Sequence, residues 1–289
     1  MWQQLEINTQ SAYVELFANL LHELGALSVS LKDAGEQPLF QVLPEESPLW
    51  NDTQILALFS EEIDLKDLAE QVKREIKHPF EYKISHLQEE DWVRKTQQNF
   101  PPRYFAKSLW VLPSWCDSSH YYGDIIKIDP GLAFGTGTHP TTSLCLEWLA
   151  KHPPRDLTVI DYGSGSGILA LAACILGAKS VYAIDHDIQA VQACENNANL
   201  NAIAADQLHI SLEEDMPKIK ASLIIANILS QALIILAPKI IALADKDATL
   251  VLSGILAPEI NQIAQAYAPH FKIQSAKIQD EWVRLILKK

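Results

Sequence analysis

The sequence predicts an α/β protein in which a small α+β domain precedes a larger domain built on a mostly parallel sheet. Two observations carry this prediction. Over residues 1–88, hydrophobic periods of two and of about 3.6 follow one another in the order βαββαβ. From residue 156 onward, continuous apolar strands alternate with amphipathic helices, which is typical of a parallel sheet covered on both faces.

The first domain is predicted to be ferredoxin-like. Strands are expected at 2–8, 28–31, 54–59 and 80–84, and helices at 11–24 and 65–76. This order of elements is the ferredoxin-like plan, which by itself names no function. Residues 89–125 are interpreted as a linker between the domains, with a helix over 89–97.

The second domain is predicted to span residues 126–289. Strands at 157–161, 180–185, 223–227 and 249–253 are each followed by a helix, at 168–176, 188–200, 231–243 and 258–267. Two further strands, at 271–278 and 282–287, end the chain as a tight hairpin. The parallel part of the sheet is therefore expected to close with an antiparallel pair.

Composition narrows the classes of function. The net charge of -13 argues against a direct nucleic-acid partner, because phosphate binding needs clustered Lys and Arg. The chain has no apolar run of 18 residues and no signal-peptide pattern, so we expect a cytoplasmic protein with no membrane partner. The four cysteines show neither CxxC pairs nor zinc-site spacing, and free thiols without a metal are expected.

A glycine-rich turn, D-Y-G-S-G-S-G at 161–167, joins the first strand of the second domain to its helix. Glycines permit a sharp turn and a close approach of a ligand, at the strand end where open α/β sheets bind ligands. The dinucleotide fingerprint places its third glycine one residue later. The spacing therefore argues against an NAD-dependent dehydrogenase.

The next strand ends in Asp185, about 20 residues past the glycines. An acid at this place accepts hydrogen bonds from ribose hydroxyls and repels a 2′-phosphate. Asp187 is expected only to cap the following helix. The turn and the acid together predict a nucleoside-containing cofactor, and S-adenosylmethionine fits because it carries an amino-acid moiety in place of a phosphate.

The loop 129–142, D-P-G-L-A-F-G-T-G-T-H-P-T-T, is rich in glycine and threonine. Its composition leaves two interpretations open. One is a long surface turn with Thr141 or Thr142 near the start of a helix, and the other is a lid over the cofactor. His139 has neither a catalytic triad nor a metal site beside it in the sequence.

Asn227 ends the apolar run 223–226 at the carboxyl edge of the predicted sheet, next to the expected crevice. One interpretation is a helix N-cap, for which Asn is favoured. Ser230 is placed to cap that helix instead. The side-chain carbonyl of Asn227 is then available to accept a hydrogen bond from a substrate amine.

Together these segments resemble the ribosomal protein L11 methyltransferase family over essentially the whole chain. The matching segments are 129–142, 159–170, 184–187, 197–201, 226–229, 253–256 and 281–284. The segment 129–142 and the A-N-I-L segment at 226–229 are highly specific in combination. Ser164 stands where the family usually has Cys, which changes little because the backbone does the binding.

The resemblance implies a class I S-adenosylmethionine-dependent methyltransferase with a seven-stranded Rossmann-like sheet. It implies that the first domain recognises ribosomal protein L11 and that methyl groups go to lysine ε-amino and N-terminal α-amino groups. It also favours the lid interpretation of the loop. The expected cofactor-binding residues are Phe134, Thr142, Gly163, Gly165, Asp185 and Asn227. Asn227 is also the expected catalytic residue, because it can orient a neutral amine without trapping it in an ion pair.

Two other functions compete with this prediction. A methyltransferase of the same fold could act on another protein or on a small amine, and its cofactor motifs would be identical. An RNA-binding protein could use the ferredoxin-like domain as an RNA-recognition module, which needs an aromatic and basic strand. The predicted strands 28–31 and 54–59 contain no such run.

Overall fold

The computed structural model describes residues 2–35, 50–87, 100–129 and 137–289. The chain divides into two compact units, Met1–Lys95 and Thr96–Lys289. Each unit buries its own hydrophobic side chains. In the four described ranges, no helix combines the length and the apolar character that crossing a membrane requires.

The first unit has the predicted ferredoxin-like arrangement. Its strands are β1 (Trp2–Gln10), β2 (Ser28–Asp33), β3 (Asp52–Ser60) and β4 (Glu81–Leu87), and its helices are α1 (Val14–Glu23) and α2 (Leu65–Glu75). The antiparallel sheet has the order β2-β3-β1-β4. Alternate residues of β1 and β3, such as Leu5 and Phe59, are buried with Phe17 and Val72 of the two helices.

The structure differs from the predicted linker between residues 100 and 125. There the second unit contains a small sheet of β5 (Arg103–Phe105), β6 (Leu109–Pro113) and β7 (Asp124–Ile128). These strands have only three to five residues, too few for a period of two to stand out. The helix predicted at 89–97 lies outside the described residues. The domain boundaries at 88 and 125 stay predictions.

The large sheet of the second unit is the predicted α/β core. Its strands are β8 (Thr158–Tyr162), β9 (Ser180–Asp185), β10 (Leu208–Leu212), β11 (Ala221–Asn227), β12 (Ala244–Leu256), β13 (Lys272–Gln279) and β14 (Trp282–Lys288). They lie in the order β10-β9-β8-β11-β12-β14-β13. The first five are parallel, and the closing pair is antiparallel. The seven-stranded prediction is confirmed.

Helices and buried clusters flank this sheet. The helices are α3 (Pro140–Lys151), α4 (Ile168–Ile175), α5 (Ile188–Leu200), α6 (Ser230–Ile235), α7 (Ala237–Leu243) and α8 (Ile260–Tyr267). The single helix predicted over 231–243 is two helices, α6 and α7. Pro238 causes the break, because it lacks the N–H that a continuous helix would bond to the carbonyl of Ile234.

Strand β10 was missing from the strands predicted by pattern. It lies at the edge of the sheet, and among the described strands it pairs with β9 alone. Its apolar residues alternate with His209 and Ser211 over only five positions. This pattern is weaker than the continuous apolar runs of the central strands.

The order of the strands creates a crevice between β8 and β11. The chain moves outward from β8 to β9 and β10, and then returns to β11 on the other side of β8. Open α/β sheets bind ligands at such a switch point, at the carboxyl ends of the strands. Gly163 follows β8 and Asn227 ends β11, so both lie at this crevice.

Candidate active site

A cavity of about 640 Å³ opens at this edge of the large sheet. Its lining includes Gly163, Asp185 and Asn227, together with the apolar side chains of Leu229 and Leu236. A second cavity of about 670 Å³ also borders Gly163, Asp185 and Asn227. Small-molecule sites typically have roughly 300–1,000 Å³, so either cavity is large enough to contribute to one.

Two glycines hold the backbone of Ile228 at the crevice. Gly163 and Gly254 have φ angles of 76° and 83°, in the left-handed region. A Cβ on Gly163 would lie 2.4 Å from Cγ2 of Ile228, and a Cβ on Gly254 would lie 2.2 Å from its carbonyl oxygen. Both positions therefore require glycine, and together they allow Asn227 and Ile228 to pass between the neighbouring strand ends.

Asp185 is held by the glycine turn. The backbone N–H of Gly165 donates to its Oδ2 at 2.9 Å, and the N–H of Asp187 donates to its Oδ1 at 3.1 Å. The ring nitrogen Nδ1 of His186 lies 3.2 Å from the same Oδ1. A carboxylate has about four acceptor sites, so these contacts leave capacity for ribose hydroxyls.

Asp161 belongs to β8, and its carboxyl group reaches the first turn of α4. Its Oδ2 accepts a hydrogen bond from the N–H of Ala170 at 2.9 Å. The carboxyl is 1% exposed, and burial raises its pKa to about 7, with a further upward contribution from Asp185. A helix N-terminus that already holds a carboxyl group is a poor site for a pyrophosphate. This contact supports a cofactor without phosphate.

Asn227 and Thr142 are brought together from positions 85 residues apart. The amide Nδ2 of Asn227 donates to Thr142 Oγ1 at 3.1 Å, and Thr142 is 1% exposed. The amide oxygen Oδ1 is buried and accepts no hydrogen bond from the described part of the chain. Asn227 lines the cavity, and its unsatisfied oxygen needs a donor, which the N–H of a ligand can supply.

The start of α3 is attached to the same edge of the sheet. Ser253 Oγ lies 3.3 Å from the carbonyl oxygen of Thr141 and 3.2 Å from that of Val283. His139 caps α3, since the N–H of Thr141 donates to its Nδ1 at 3.4 Å. Burial lowers the pKa of His139. Its ring contacts that of Trp282 at 5.1 Å between centroids, and both residues line the cavity.

The other end of the cavity carries an acidic group. The hydroxyl of Tyr162 donates to Glu213, and the Nζ of Lys239 lies 2.5 Å from the same carboxylate oxygen. The bond from Lys239 lowers the pKa of Glu213. Glu213 directly follows β10, and because the sequence patterns do not predict that strand, they do not indicate this residue either.

Two asparagines at the C-terminal end of α5 support the backbone around the site: Asn197 in its last turns and Asn201 at its C-cap. Asn197 donates to the carbonyl of Ser166 at 3.0 Å and accepts from the N–H of Asp129 at 2.9 Å. Asn201 accepts from the N–H of Lys127 at 2.7 Å. The four-residue spacing, which places both on one helix face, could have indicated a shared role. Their backbone partners lie too far along the chain to be inferred.

Arg103 supports the end of the glycine- and threonine-rich loop. Its Nη1 donates to the carbonyl oxygens of Gly137 and Thr138, each at 2.9 Å. Phe134 belongs to 130–136, outside the described residues, so its cofactor contact stays a prediction. Within the described ranges, no group of three or more His, Cys, Asp or Glu side chains is placed to hold a metal ion.

These features fit S-adenosylmethionine. Asp185 can accept ribose hydroxyls, the apolar walls of the first cavity suit a purine and an alkyl chain, and the helix end behind the turn does not favour phosphate. The strand order with its closing antiparallel pair and this site define a class I S-adenosylmethionine-dependent methyltransferase.

Comparisons with known proteins identify the family. The family model described as "Ribosomal protein L11 methyltransferase (PrmA)" matches residues 1–289. A ribosomal protein L11 methyltransferase of Pasteurella multocida (strain Pm70) is 43% identical over 288 residues, and one of Actinobacillus pleuropneumoniae serotype 3 (strain JL03) is 42% identical over 287. Each match covers 98% of this chain and 98% of the relative. The chain belongs to the ribosomal protein L11 methyltransferase family.

A solved structure agrees with this assignment. It is the crystal structure of a ribosomal protein L11 methylase from Lactobacillus delbrueckii subsp. bulgaricus, 36% identical to this chain with a TM-score of 0.58. The match covers 64% of this chain and 97% of that one. The predicted class of enzyme and its cofactor, S-adenosylmethionine, are thereby confirmed.

Proposed function

We propose that this protein transfers methyl groups from S-adenosylmethionine to amino groups of ribosomal protein L11, both lysine ε-amino groups and the N-terminal α-amino group. The observation that carries the proposal is the buried Oδ1 of Asn227, an acceptor on the cavity wall for which the described residues supply no donor. The names of the relatives support the substrate, since they are ribosomal protein L11 methyltransferases.

The cofactor-binding residues have separate tasks in this proposal. Asp185 accepts hydrogen bonds from the ribose, and the turn at Gly163 and Gly165 lets the ligand approach the backbone. Thr142 acts through Asn227, whose amide it orients. Phe134 supplies an aromatic contact from the loop. When bound, S-adenosylmethionine supplies a methyl group made electrophilic by its sulfonium sulfur.

The amine must be neutral to attack, whereas a free lysine has a pKa near 10.4. Leu229, Ala232 and Leu236 form an apolar wall, and desolvation against it lowers the pKa of the amine. Asn227 accepts one N–H and leaves the nitrogen lone pair directed at the methyl group. A carboxylate in its place would favour the protonated ammonium. Asn227 cannot take up a proton, so the proton released by the amine passes to water.

The first unit is the proposed recognition domain for ribosomal protein L11. The residues assigned to the cofactor and to the amine all belong to the second unit, so the first has no task in the chemistry itself. The net charge of -13 supports a protein substrate rather than direct contact with nucleic acid. The proposed place of action is the cytoplasm, where ribosomal proteins are made.

The test is methylation of purified ribosomal protein L11 by the purified full-length protein with S-adenosylmethionine, followed by peptide mapping. We expect methyl groups on lysine ε-amino groups and on the N-terminal amine. A second purified ribosomal protein of similar size and charge is the control for indiscriminate transfer. Transfer to no amine of ribosomal protein L11, or equal transfer to the control protein, would overturn the proposal.

A further inference from the structure

The end of the cavity farthest from Asp185 is bounded by two rings, those of His139 and Trp282. The rings meet edge to face, with centroids 5.1 Å apart and planes at 67°. Trp282 opens β14, which lies four strands away from β9 in the sheet. At about 4.8 Å per strand this is a span of about 19 Å. A nucleoside held at Asp185 therefore leaves the aromatic end to the substrate amine.

This aromatic wall is held firmly in place. Trp282 pairs with Leu256 of β12 and with Gln279 of β13. His139 is fixed by its bond from Thr141, whose carbonyl oxygen in turn contacts Ser253. Because burial lowers the pKa of His139, the imidazole is neutral at pH 7 and does not repel a cation beside it. The wall is uncharged, aromatic and anchored to the strands that border Asn227.

Successive methyl transfers change what the site can hold. In each transfer, the nitrogen lone pair forms the new N–C bond and the C–S bond breaks with its electron pair on sulfur. A primary or secondary amine then loses a proton, whereas a tertiary amine has none to lose and ends as a quaternary ammonium. Each methyl group replaces one N–H. The Oδ1 of Asn227 can therefore hold a primary or a secondary amine, but not a tertiary amine.

We propose that Trp282, with His139 beside it, is a specificity-determining residue that positions amines already carrying methyl groups. The inference rests on the proposed function, since it requires an amine substrate. Methyl groups pack against the indole, and the positive charge that develops on nitrogen during transfer is attracted to its π face, for which Trp is the most effective side chain. Asn227 positions the amine for the transfers in which it still carries an N–H. Trp282 positions the tertiary amine, which has no N–H left to donate.

The experiment compares three forms of ribosomal protein L11, which carry lysine, monomethyl-lysine or dimethyl-lysine at one target position. Trp282→Leu should lower kcat/KM for the dimethyl form by about 3- to 30-fold, the range that a cation–π contact supplies. The loss for the unmethylated form should be smaller, and Trp282→Phe should give an intermediate loss. Asn227→Ala should show the opposite order, with the largest loss on the unmethylated form.

The matched control is Trp115→Leu. Trp115 is 39% exposed in the same unit and does not line the cavity, so all three substrates should react as with the wild-type protein. Unchanged affinity for S-adenosylhomocysteine shows that each variant is folded. If Trp282→Leu loses that affinity, the inference is tested by comparing kcat/KM for the three substrate forms between Trp282→Phe and the wild-type protein.

Each remaining outcome counts against a stated claim. If Trp282→Leu or Trp282→Phe lowers kcat/KM equally for the three forms, or for none of them, the inference is wrong while the proposed function stands. The same holds if the wild-type protein methylates lysine but not dimethyl-lysine. If the wild-type protein methylates no form, the proposed function itself fails.

Discussion

At the scale of single residues, the proposed chemistry depends on one amide group with two different environments. The side-chain nitrogen of Asn227 donates a hydrogen bond to Thr142, which fixes the orientation of the amide. The oxygen is thereby left as the acceptor at the cavity. A residue that offers the acceptor without a negative charge suits a nucleophile that must stay neutral.

Substitutions of Asn227 test this assignment. Asn227→Ala should lower turnover at least ten-fold while the affinity for S-adenosylhomocysteine changes little, because the glycine turn and Asp185 are untouched. Asn227→Asp is nearly isosteric, but its carboxylate favours the ammonium form, so activity should be low at pH 7 and recover partly at higher pH. Steady-state rates across pH on ribosomal protein L11 measure this. An Asp variant as active as wild type at neutral pH would remove Asn227 from the orientation of the amine.

Asp161 gives a prediction about stability. Its folded pKa of about 7 lies above the ordinary Asp value of 3.8, so the native state binds the proton more tightly than the unfolded chain does. Its contribution is fully present below about pH 4 and is lost as the pH rises through about 7. At about 1.4 kcal/mol per pKa unit, the loss is at most about 4 kcal/mol.

Asp161→Asn keeps an acceptor for the N–H of Ala170 and cannot ionise. Its free energy of unfolding, relative to wild type, should therefore increase between pH 4 and pH 7.5. Urea titrations at several pH values measure the difference, with the exposed Asp156→Asn as the control for general charge effects. A constant difference across this range would show that Asp161 is ionised throughout in the native protein.

The sequence predicts those site residues that lie at the carboxyl ends of apolar strands. Asp185 and Asn227 could be predicted because each ends an apolar run, and such ends meet at one edge of a parallel sheet. Their partners could not be predicted. The contact between Thr142 and Asn227 joins residues 85 positions apart, and Arg103 is a lone arginine whose carbonyl partners lie more than 30 positions away.

At the scale of elements, the crevice depends on how closely three strand ends approach one another. Residue Ile228, which follows β11, lies between Gly163 after β8 and Gly254 in β12. The steric neighbour differs between the two glycines. Gly163 faces a side-chain methyl group of Ile228, whereas Gly254 faces its carbonyl oxygen.

This difference predicts two distinct double-mutant cycles. Gly163→Ala and Gly254→Ala should each destabilise the protein, because both φ angles are positive and both new Cβ atoms clash. Ile228→Ala removes the methyl group that clashes at Gly163, so that pair should couple by at least about 0.5 kcal/mol. The same change leaves the carbonyl at Gly254, and that pair should be additive.

Denaturant unfolding of the single and double variants measures both couplings. Gly35→Ala serves as the control, because Gly35 is exposed and its nearest neighbour would lie 3.6 Å from the new Cβ. Equal coupling in the two cycles would contradict the described position of Ile228.

The sequence also predicted elements unevenly. The central strands follow from continuous apolar runs, the closing hairpin from two strand segments joined by a tight turn, and α1, α2 and α5 from helical spacing. Strand β10 and the small β5-β6-β7 sheet were missed, because β10 alternates apolar and polar residues over only five positions and β5 has only three residues. Tertiary pairing, rather than local sequence, defines them.

At the scale of the whole molecule, each unit has its own buried core and the chemistry belongs to one of them. This division suggests that binding of the cofactor and recognition of the protein substrate can be separated. The ferredoxin-like order of the first unit was predictable from its periodicity, whereas its task was implied only by the family resemblance.

Deletion of residues 1–88 tests that task. The remaining chain should keep its affinity for S-adenosylhomocysteine and lose at least ten-fold in the methylation of ribosomal protein L11. A small amine such as an N-acetylated lysine amide, supplied at high concentration, is the control, because its methylation does not need the first unit. A shortened protein that methylates ribosomal protein L11 at the full rate would exclude the first unit from recognition.

The central claim is that ribosomal protein L11 is the methyl acceptor, and the most direct measurement is the intact mass of every ribosomal protein from cells that lack this protein. We predict that ribosomal protein L11 alone loses mass, by a whole number of methyl groups, compared with cells that contain it. Restoring the wild-type gene should return the lost mass, and restoring the Asn227→Ala variant should not. An unchanged mass of ribosomal protein L11, or a loss confined to another ribosomal protein, would contradict the claim.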